Sequence, residues 1–413
     1  MNQDSNFFVG QPAFKQLISP IDKCMVNRIA REHGADRYVK RFYAYEHLLT
    51  MLFGILGDSY SLRELVLGGL VKADRLGHLG IGFKLCRSTI SDANSRRPSS
   101  VFGAIYAELY RRNRHFLSDS RLASLRPVKN LFAFDSTTVT LFSDVLKGCD
   151  KAYEKGSRRG KRKGGIKAHA LIKVSEGAPC LVRLSAAAVA DGNYMRELKN
   201  LDKGSMVAID RAYCYHAVFE ELSERGIFYA TRLKDIVKYE TKELFSCEGG
   251  TEGILRDERV LLSIPRKAKL KNKKHEARRV EYIDPGDGKK YVFLTNNFKL
   301  KAITIARIYK KRWSIETMFK KIKQNFQLKY FYGDSANAIE TQVWCVLIAC
   351  LLMTLFKAMH KIRGMSFSNM MFIARCVLME YVWLCKLLAE PERTLMKMLS
   401  RQNRAQAPPT LFG

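Results

Sequence analysis

The spacing of apolar residues changes character twice along the chain. Up to about residue 125 apolar residues recur at helical spacing, as in Phe42 to Gly54 and Val101 to Phe116. From Leu131 to Phe142 the chain is β-branched and aromatic, which predicts a strand. Helical spacing returns after Asn297 and continues to about residue 400. The pattern predicts an all-α amino-terminal part, a strand-rich middle and a helical carboxyl-terminal part.

The strand-rich middle has a characteristic order of elements. After the first strand we expect two more, at Ala168 to Val174 and Cys180 to Ala186, and then alternating helices and strands that include Met206 to Ile209. Three strands followed by alternating helices and strands is the order of a ribonuclease H-like α/β fold. Short strand patterns between Lys234 and Asn297 indicate a β-rich insertion in that fold.

These patterns divide the chain into four regions. We predict an all-α amino-terminal domain, a ribonuclease H-like core in two segments, a β-rich insertion between those segments and a helical carboxyl-terminal tail. Their expected bounds are 1–125, then 126–233 with 298–345, then 234–297, and 346–413.

The net charge of the chain limits the classes of partner that it can bind. There are 71 Lys and Arg residues against 40 Asp and Glu, a formal net charge of +31. Phosphates relieve the self-repulsion of such a chain and release counterions, so nucleic acid is favoured over a membrane surface. Structural nucleic-acid binders share this composition, and charge alone therefore does not indicate an enzyme.

Cysteines and apolar runs bear on the compartment. The ten cysteines form no Cys-x-x-Cys pair, so we expect reduced, core-filling residues without a zinc site or disulfide framework. The first five residues lack the basic and apolar regions of a signal peptide. Val343 to Phe356 is shorter than the roughly 20 residues of a membrane span, which predicts a buried helix. We expect a cytoplasmic protein with no membrane partner.

The segment from Tyr309 to Lys323 has an unusual set of polar residues. Read as one helix, it places a phenol, a carboxylate and three cations on one face, at Tyr309, Arg312, Glu316, Lys320 and Lys323. The carboxylate can ligate a hard divalent metal while the other groups hold phosphate oxygens. A solvated charged face is the alternative. Trp313, within the segment, is expected in the core or at an interface, with base stacking as the alternative.

Two aspartates lie where burial disfavours a charge. Asp135 follows Phe132-Ala-Phe134 inside an apolar strand, and Asp210 ends the apolar strand Met206 to Ile209. A buried carboxylate needs a cationic partner, a capping role or a metal. Helix capping is the alternative for Asp210, and a turn or a lysine partner is the alternative for Asp135.

In the ribonuclease H-like order these acids come together. The middle of the first strand and the end of the fourth lie side by side, and a late helix can bring up a third carboxylate. Asp135, Asp210 and Glu316 occupy those three places. Three convergent acids would bind two Mg²⁺ or Mn²⁺ ions about 3.5–4 Å apart.

At these residues the chain resembles the Asp-Asp-Glu transposases of bacterial insertion sequences, specifically the insertion-sequence-four family. Its signature is Tyr, two residues, Arg, three residues, Glu, six residues, Lys, and Tyr309, Arg312, Glu316 and Lys323 match it without a gap. Asp135-Ser-Thr137 is similar to the first aspartate motif. Asp210-Arg-Ala-Tyr213 is similar to the second, with Ala212 where the family often has Gly.

The resemblance, which covers about residues 125 to 345, implies a DNA transposase that binds the terminal inverted repeats of its element. Hydrolysis would nick the element's end, and the freed 3′-hydroxyl would then attack a phosphodiester in cut-and-paste transposition. The resemblance also suggests a hairpin on the element's end as an intermediate, but the residue spacing itself does not indicate one. The implied partners are double-stranded DNA of the repeats and the target, and a second copy of the chain, because two ends must be paired. The protein would lie on the nucleoid when acting.

The resemblance also implies roles for single residues. Asp135, Asp210 and Glu316 would be the metal ligands for Mg²⁺ or Mn²⁺. Tyr309, Arg312 and Lys323 would hold DNA phosphates. Lys320 shares their face and is a further candidate, although the signature does not include it.

Two other segments are candidates for DNA contact. Cys86 to Arg97 is polar and cationic and suits the recognition helix of a helix-turn-helix-like module, with Ser88, Thr89, Ser91, Asn94 and Arg96 available for DNA contacts. A capped surface helix is its alternative. A glycine-rich basic loop between Lys151 and Lys173 could follow a DNA backbone, and a solvated surface loop is its alternative. Its candidate contacts are Arg158, Arg159, Lys161, Arg162 and Lys163.

Two other functions stay open on the sequence. One is a DNA-binding protein derived from such an element that no longer cuts, against which an intact acidic triad argues, since buried carboxylates without a metal are a liability. The other is a related nuclease that cleaves without strand transfer.

Overall fold

The structure is a computed structural model that describes residues 11–79, 85–118, 128, 130–140, 165–186, 192–245, 253–264 and 273–405. These residues form two compact units. The helices before residue 118 and the chain from Lys320 onward form a helical unit. The described residues from Ser118 to Phe319 form a sheet unit. The four regions proposed from the sequence remain predictions.

The helices of both units are numbered along the chain. They are α1 Ala13–Leu17, α2 Lys23–Glu32, α3 Ala44–Leu56, α4 Leu62–Val71, α5 Ala73–Leu76, α6 Arg87–Arg96, α7 Ser100–Leu117, α8 Gly192–Met195, α9 His216–Glu224, α10 Ala302–Lys310, α11 Trp313–Asn325, α12 Ala336–Met359, α13 Phe367–Cys376, α14 Leu384–Ala389 and α15 Pro391–Ala405. Short 3₁₀ helices lie at Gly77–Leu79, Arg196–Asn200 and Arg211–Tyr213.

The helical unit is organised around α12. This helix packs against α3, α6 and α7, and nearly all of its residues from Ala338 to Phe356 are buried. Among the described helices α12 alone has the length and composition of a membrane span, but 83% of its most apolar stretch is buried inside the structure. The predicted buried helix is confirmed, because α12 loses its apolar surface to neighbouring helices.

The sheet unit contains one nine-stranded sheet. Its strands are β1 Leu131–Thr140, β2 Gly165–Lys173, β3 Pro179–Ala186, β4 Met206–Ile209, β5 Phe228–Arg232, β6 Tyr239–Leu244, β7 Ile254–Ser263, β8 Lys274–Ile283 and β9 Lys290–Thr295. Their order across the sheet is β3-β2-β1-β4-β5-β9-β8-β7-β6. The strands β1, β4 and β5 are parallel, and the other pairs are antiparallel. The β-rich segment therefore extends the same sheet.

The helix α9 covers the middle of the sheet. Phe219 on α9 stacks on Tyr229 of β5, with ring centroids 4.1 Å apart, and Leu222 is fully buried beside them. This apolar contact follows from the helical spacing of Val218, Phe219 and Leu222. It fixes β5 and, through parallel pairing, β4.

The cysteines only partly follow the expectation that they fill the core. All eight described cysteines are free thiols. Cys345 and Cys350 are buried in α12, whereas Cys24, Cys86 and Cys376 are exposed. The three exposed thiols lie at the ends of helices that reach the surface.

The prediction of one continuous helix from Tyr309 to Lys323 is wrong. Helix α10 ends at Lys310, a turn covers Lys311 and Arg312, and α11 begins at Trp313. The Arg312 N–H donates to the Tyr309 carbonyl at 3.0 Å, which is the spacing of a tight turn. Arg312 therefore does not lie on the face that a single helix would give it. Its side chain turns toward acidic partners within the sheet unit.

Gly253, just before β7, provides a test of the strand pairing. Its φ is +87°, and a Cβ added there would lie 2.2 Å from the Ile283 carbonyl oxygen. We expect Gly253→Ala to lower the free energy of unfolding by about 2–4 kcal/mol, from left-handed strain plus the clash. Urea denaturation measures it.

Gly288→Ala is the matched control, since Gly288 also has a positive φ (+67°) but nothing within 4 Å of an added Cβ. It should lose only the strain, about 1–2 kcal/mol. Equal losses in the two variants would contradict the close approach of Gly253 to β8.

Candidate active site

Two acids lie at the same level on neighbouring parallel strands. The register pairs Phe134 of β1 with Ile209 of β4. Asp135 and Asp210 are the next residues along these two strands. Because the strands are parallel and in register, their following residues lie side by side at one edge of the paired region. The local sequence thus positions both carboxylates before any helix is added.

Each aspartate also has a local hydrogen bond. Asp135 Oδ1 accepts from the Ser136 N–H at 2.8 Å, and its side chain is only 16% exposed. Asp210 Oδ1 accepts from the Ala212 N–H at 2.9 Å and caps the 3₁₀ helix Arg211–Tyr213. Asp210 therefore has the capping role that was the alternative, but only through Oδ1. The second oxygen of each aspartate faces Arg312.

The guanidinium of Arg312 joins all three predicted acids. Nη1 donates to Asp135 Oδ2 at 2.8 Å and lies 3.6 Å from Asp210 Oδ2. Nη2 donates to Glu316 Oε1 at 2.5 Å. The Arg312 side chain is only 7% exposed, so these interactions are weakly screened by water. Three acids that are far apart in sequence thus meet around one buried cation.

Burial sets the acidity of Asp135. Loss of solvent raises its pKa to about 6, against the lowering effects of the Ser136 N–H and Arg312. The charges of Asp210 and Glu316 raise this pKa further. For Arg312, burial disfavours the charged form, but neighbouring Tyr309 and Asp135 outweigh it and raise the guanidinium pKa. Arg312 therefore stays charged, and Asp135 is a weaker acid than an exposed aspartate.

A cavity of about 1000 Å³ opens beside Asp210 and Arg312. Its walls combine aromatic rings with cations and include Arg211, Arg232, Tyr282, Asp284, Tyr291, Phe293, Arg307, Tyr309, Lys310 and Trp313. Tyr309 is buried, and its ring lies 5.2 Å from that of Phe293. Trp313 is 62% exposed, so it does not lie in the core, and its expected place at an interface stays a prediction.

The sequence did not single out the residues that β5 and β9 contribute to this cavity. Arg232 on β5 lies 4.9 Å above the Tyr291 ring, and Tyr291 stacks with Phe293 two residues on. Alternate residues of a strand share one face, so the Tyr-Val-Phe pattern of β9 was a usable signal. Its link to the acids depends on β5 pairing with β9.

The remaining predicted contacts lie elsewhere or outside the described residues. Lys320 and Lys323 are exposed on α11, one and two turns after Glu316. On α6, the candidate contacts Ser88, Thr89, Ser91 and Arg96 are exposed, and Arg96 pairs with Asp92 at 2.8 Å. The expectation that Asn94 contacts DNA is wrong, because Asn94 is fully buried and pairs with His47. The glycine-rich basic loop contacts lie outside the described residues, at Arg158, Arg159, Lys161, Arg162 and Lys163.

The acids suit a hard divalent cation by their chemistry. Carboxylate oxygens are the ligands that Mg²⁺ and Mn²⁺ prefer. A positive group already stands among the three acids here, since the guanidinium nitrogens lie 2.5–3.6 Å from their oxygens. Within the described parts of the chain, no group of three or more His, Cys, Asp or Glu residues is placed to hold a metal ion. The acids are spread around the guanidinium, which must move for them to share a metal ion.

Comparisons with known proteins cover most of the chain. A family model described as a transposase DDE domain matches residues 126–352. A second model, described as a domain of unknown function (DUF4372), matches residues 9–82.

Three curated proteins are similar in sequence. A putative transposase y4zB of Sinorhizobium fredii is 28% identical over 295 residues, 70% of this chain and 76% of that protein. A probable transposase for insertion sequence element IS5377 of Geobacillus stearothermophilus is 26% identical over 61% of this chain and 63% of its own length. A putative transposase for insertion sequence element IS4SA of Synechocystis sp. is 24% identical over 65% of this chain and 71% of its own length.

A solved structure, the piggyBac transposase synaptic complex with hairpin DNA, shares 12% identity with this chain. The match covers 98% of this chain and 87% of that one, with a TM-score of 0.45. Likeness at this level is too low to bear on fold or function.

Asp135→Asn should reveal the cost of the buried charge. The folded pKa of about 6 exceeds the ordinary 3.8, so the stability that the protonated carboxyl contributes is full below about pH 4 and is lost as pH rises through about 6. We expect the variant to be more stable than the parent by about 1–3 kcal/mol near pH 8, with a difference that vanishes near pH 4. Urea unfolding across pH measures this.

Asp202→Asn, at an exposed carboxylate of the same unit, is the control and should show no such pH-dependent gain. A parent that is as stable as Asp135→Asn at every pH would contradict the raised pKa of Asp135.

Proposed function

Because this chain belongs to the family of transposases with a DDE domain, we propose that Asp135, Asp210 and Glu316 are its catalytic acids. Family membership makes the chain a metal-dependent enzyme that cleaves DNA and transfers its strands, as the insertion-sequence transposases among its relatives indicate. The convergence of three distant acids on Arg312 is the observation that carries the assignment to these residues.

The strand order supports a ribonuclease H-like core. The β3-β2-β1 part is antiparallel, and β1, β4 and β5 continue it in parallel. The pairing of β1 with β4 is the juxtaposition of first and fourth strands that the predicted core requires. We propose the four regions as predicted, with β6 to β9 as the insertion and the all-α amino-terminal domain as the DNA-binding domain.

The three carboxylates would hold two Mg²⁺ or Mn²⁺ ions. When bound, such ions polarise the phosphodiester and lower the pKa of an attacking water. The residues of the chain do the rest. Asp135, buried and hydrogen bonded at Oδ1, has a fixed direction. Arg312 neutralises the acids in this arrangement and binds a phosphate once released from them, as a guanidinium fork does well.

The other predicted residues would bind and orient DNA. Tyr309 lies beside Arg312 in the cavity wall, and the exposed Trp313 ring offers a surface on which a base can stack. Lys320 and Lys323 extend the exposed basic surface of α11. Ser88, Thr89 and Arg96 on α6 would read the terminal repeats, and the basic loop would follow the backbone.

The proposed assembly and reaction follow from pairing two DNA ends. Binding both inverted repeats and the target requires at least a homodimer in the DNA complex. We propose a cytoplasmic protein that lies on the nucleoid when it acts. A hairpin on the element's end is the cleavage route to be tested, and a denaturing gel of the cut ends separates it from simple nicking.

The first test replaces the acids one at a time. We expect Asp135→Ala, Asp210→Ala and Glu316→Ala each to lower cleavage of the cognate ends in Mg²⁺ by roughly 10³-fold or more, while DNA binding is kept. A gel assay of cleavage and strand transfer, with a mobility-shift assay beside it, measures both. Asp202→Ala is the control and should cut normally. Near-normal cleavage by any of the three would overturn the assignment.

A second test asks whether Arg312 competes with metal. Removing its charge leaves three acids facing one another, so Arg312→Gln should bind Mn²⁺ more tightly without DNA. Loss of one nearby charge is worth about 1–3 kcal/mol at an intermediate dielectric, or tenfold and more in affinity. Electron paramagnetic resonance of free Mn²⁺ measures the affinity.

Arg232→Gln is the matched control, because Arg232 lines the same cavity and stacks on Tyr291 rather than holding an acid. It should change Mn²⁺ affinity far less. Weaker Mn²⁺ binding by Arg312→Gln would show that the guanidinium does not take the place of the ion.

A further inference from the structure

The loop between α2 and α3 carries an unneutralised group of cations. Arg37, Lys40 and Arg41 are all exposed. In the part of the chain that the structure describes, none of the three forms an ion pair. The intervening Tyr38 is 86% exposed, and the Arg37 guanidinium lies 4.9 Å from its ring. This α2–α3 loop, residues 37–41, lies within the region that matches a domain of unknown function.

Several other cations of the same helical unit have acidic partners. Glu108 on α7 accepts from Arg111 and Arg112 at 2.8 Å, and Arg28 on α2 pairs with Glu32 at 2.7 Å. These pairs cancel each other's field on the protein surface. The charges of the α2–α3 loop are not cancelled in this way, so they concentrate positive potential at one place.

One buried arginine holds this loop against the end of α6. The Arg97 guanidinium donates to Asp36 at 3.0 Å, to the Phe42 carbonyl at 2.8 Å and to His47 Nδ1 at 2.8 Å. Asp36 and Phe42 bracket the loop, and Arg97 directly follows the last residue of α6. Asn94, on the buried face of α6, is fully shielded from solvent, and its Oδ1 lies 2.8 Å from His47 Nε2. The loop and α6 are therefore positioned by a single polar network.

The exposed face of α6 carries little positive charge of its own. It presents small hydroxyl side chains at Ser88, Ser91 and Ser95. Of its two arginines, Arg96 is paired with Asp92, whereas Arg87 begins the helix and is exposed, with no ion pair among the described residues. Hydroxyls can contact base edges at close range, but neutralisation of phosphates supplies most of the affinity. A cationic loop fixed at the other end of α6 adds to the charge that Arg87 offers.

Tyr38 adds a conformational argument. Its φ of +63° lies in the left-handed region, which is unfavourable for a tyrosine. With so exposed a side chain, the contact of the ring with Arg37 offsets little of this strain. Strained, exposed residues of this kind concentrate where the chain contacts a ligand.

We infer that the α2–α3 loop is a phosphate-binding element that grips the DNA backbone beside the groove entered by α6. Arg37, Lys40 and Arg41 neutralise phosphates, and Tyr38 lies against the sugar-phosphate backbone. The inference rests on the proposed function of α6 in DNA binding and adds a second, sequence-independent contact. Double-stranded DNA is its partner.

The test compares two triple variants in fluorescence anisotropy. One probe duplex carries the inverted repeat that flanks the gene, and the other has the same length and a scrambled sequence. Arg37→Ala/Lys40→Ala/Arg41→Ala should weaken binding of both duplexes by a similar factor, about tenfold or more, and should reduce the slope of log affinity against log salt by about 2–3, since each phosphate contact contributes roughly 0.9.

Arg28→Ala/Arg111→Ala/Arg112→Ala is the matched control, because it removes the same charge from paired positions of the same unit. It should leave the salt slope almost unchanged, and circular dichroism checks that both variants fold. Equal effects of the two triple variants would overturn the inference. If the parent protein itself does not bind either duplex, the proposed function fails instead.

Tyr38→Gly separates contact from folding. Glycine accepts a φ of +63° without strain, so this variant should be at least as stable as the parent and still bind both duplexes several-fold more weakly. Unchanged DNA affinity would remove Tyr38 from the contact. A shift in oligomeric state with unchanged DNA affinity would assign the loop to a protein partner and overturn the inference.

Discussion

The guanidinium of Arg312 is the group on which the site depends. It sits in a nearly dry position and donates to Asp135 and Glu316, with Asp210 3.6 Å away. Three carboxylates this close would repel one another without a cation, and burial would favour their protonation. The guanidinium lowers both costs. In the proposed reaction a divalent ion would replace it, because such an ion offers the same acids a stronger positive charge.

The sheet makes this convergence inexpensive. Parallel pairing of β1 with β4 places two aspartates side by side through backbone hydrogen bonds alone. The turn between α10 and α11 then has to deliver only one arginine and one glutamate. Interruption of the helix lets Arg312 turn toward the aspartates, and Glu316 in the first turn of α11 contacts the same guanidinium. Buried charge is concentrated here, as is usual where stability is traded for chemistry.

The two units divide the proposed work according to their surfaces. The sheet unit holds the buried acids and an aromatic, cationic cavity. The helical unit presents polar and basic residues from a scaffold centred on α12. Among these, α6 offers hydroxyls for recognition while the α2–α3 loop offers charge, and Arg97 fixes one to the other. In the proposed DNA complex, affinity and specificity would come from different segments of one polar network.

The sequence by itself determined the family, the acids Asp135, Asp210 and Glu316 as candidates, and the strands and most helices, because residue spacing and β-branched content are local properties. It could not show the break at Arg312, since the competing pull of carboxylates more than a hundred residues away is not local. Nor could it show that the carboxyl-terminal helices join the amino-terminal ones, or that β9 brings Tyr291 and Phe293 to the site. Those features depend on which surfaces exclude water together, and only the tertiary structure decides that.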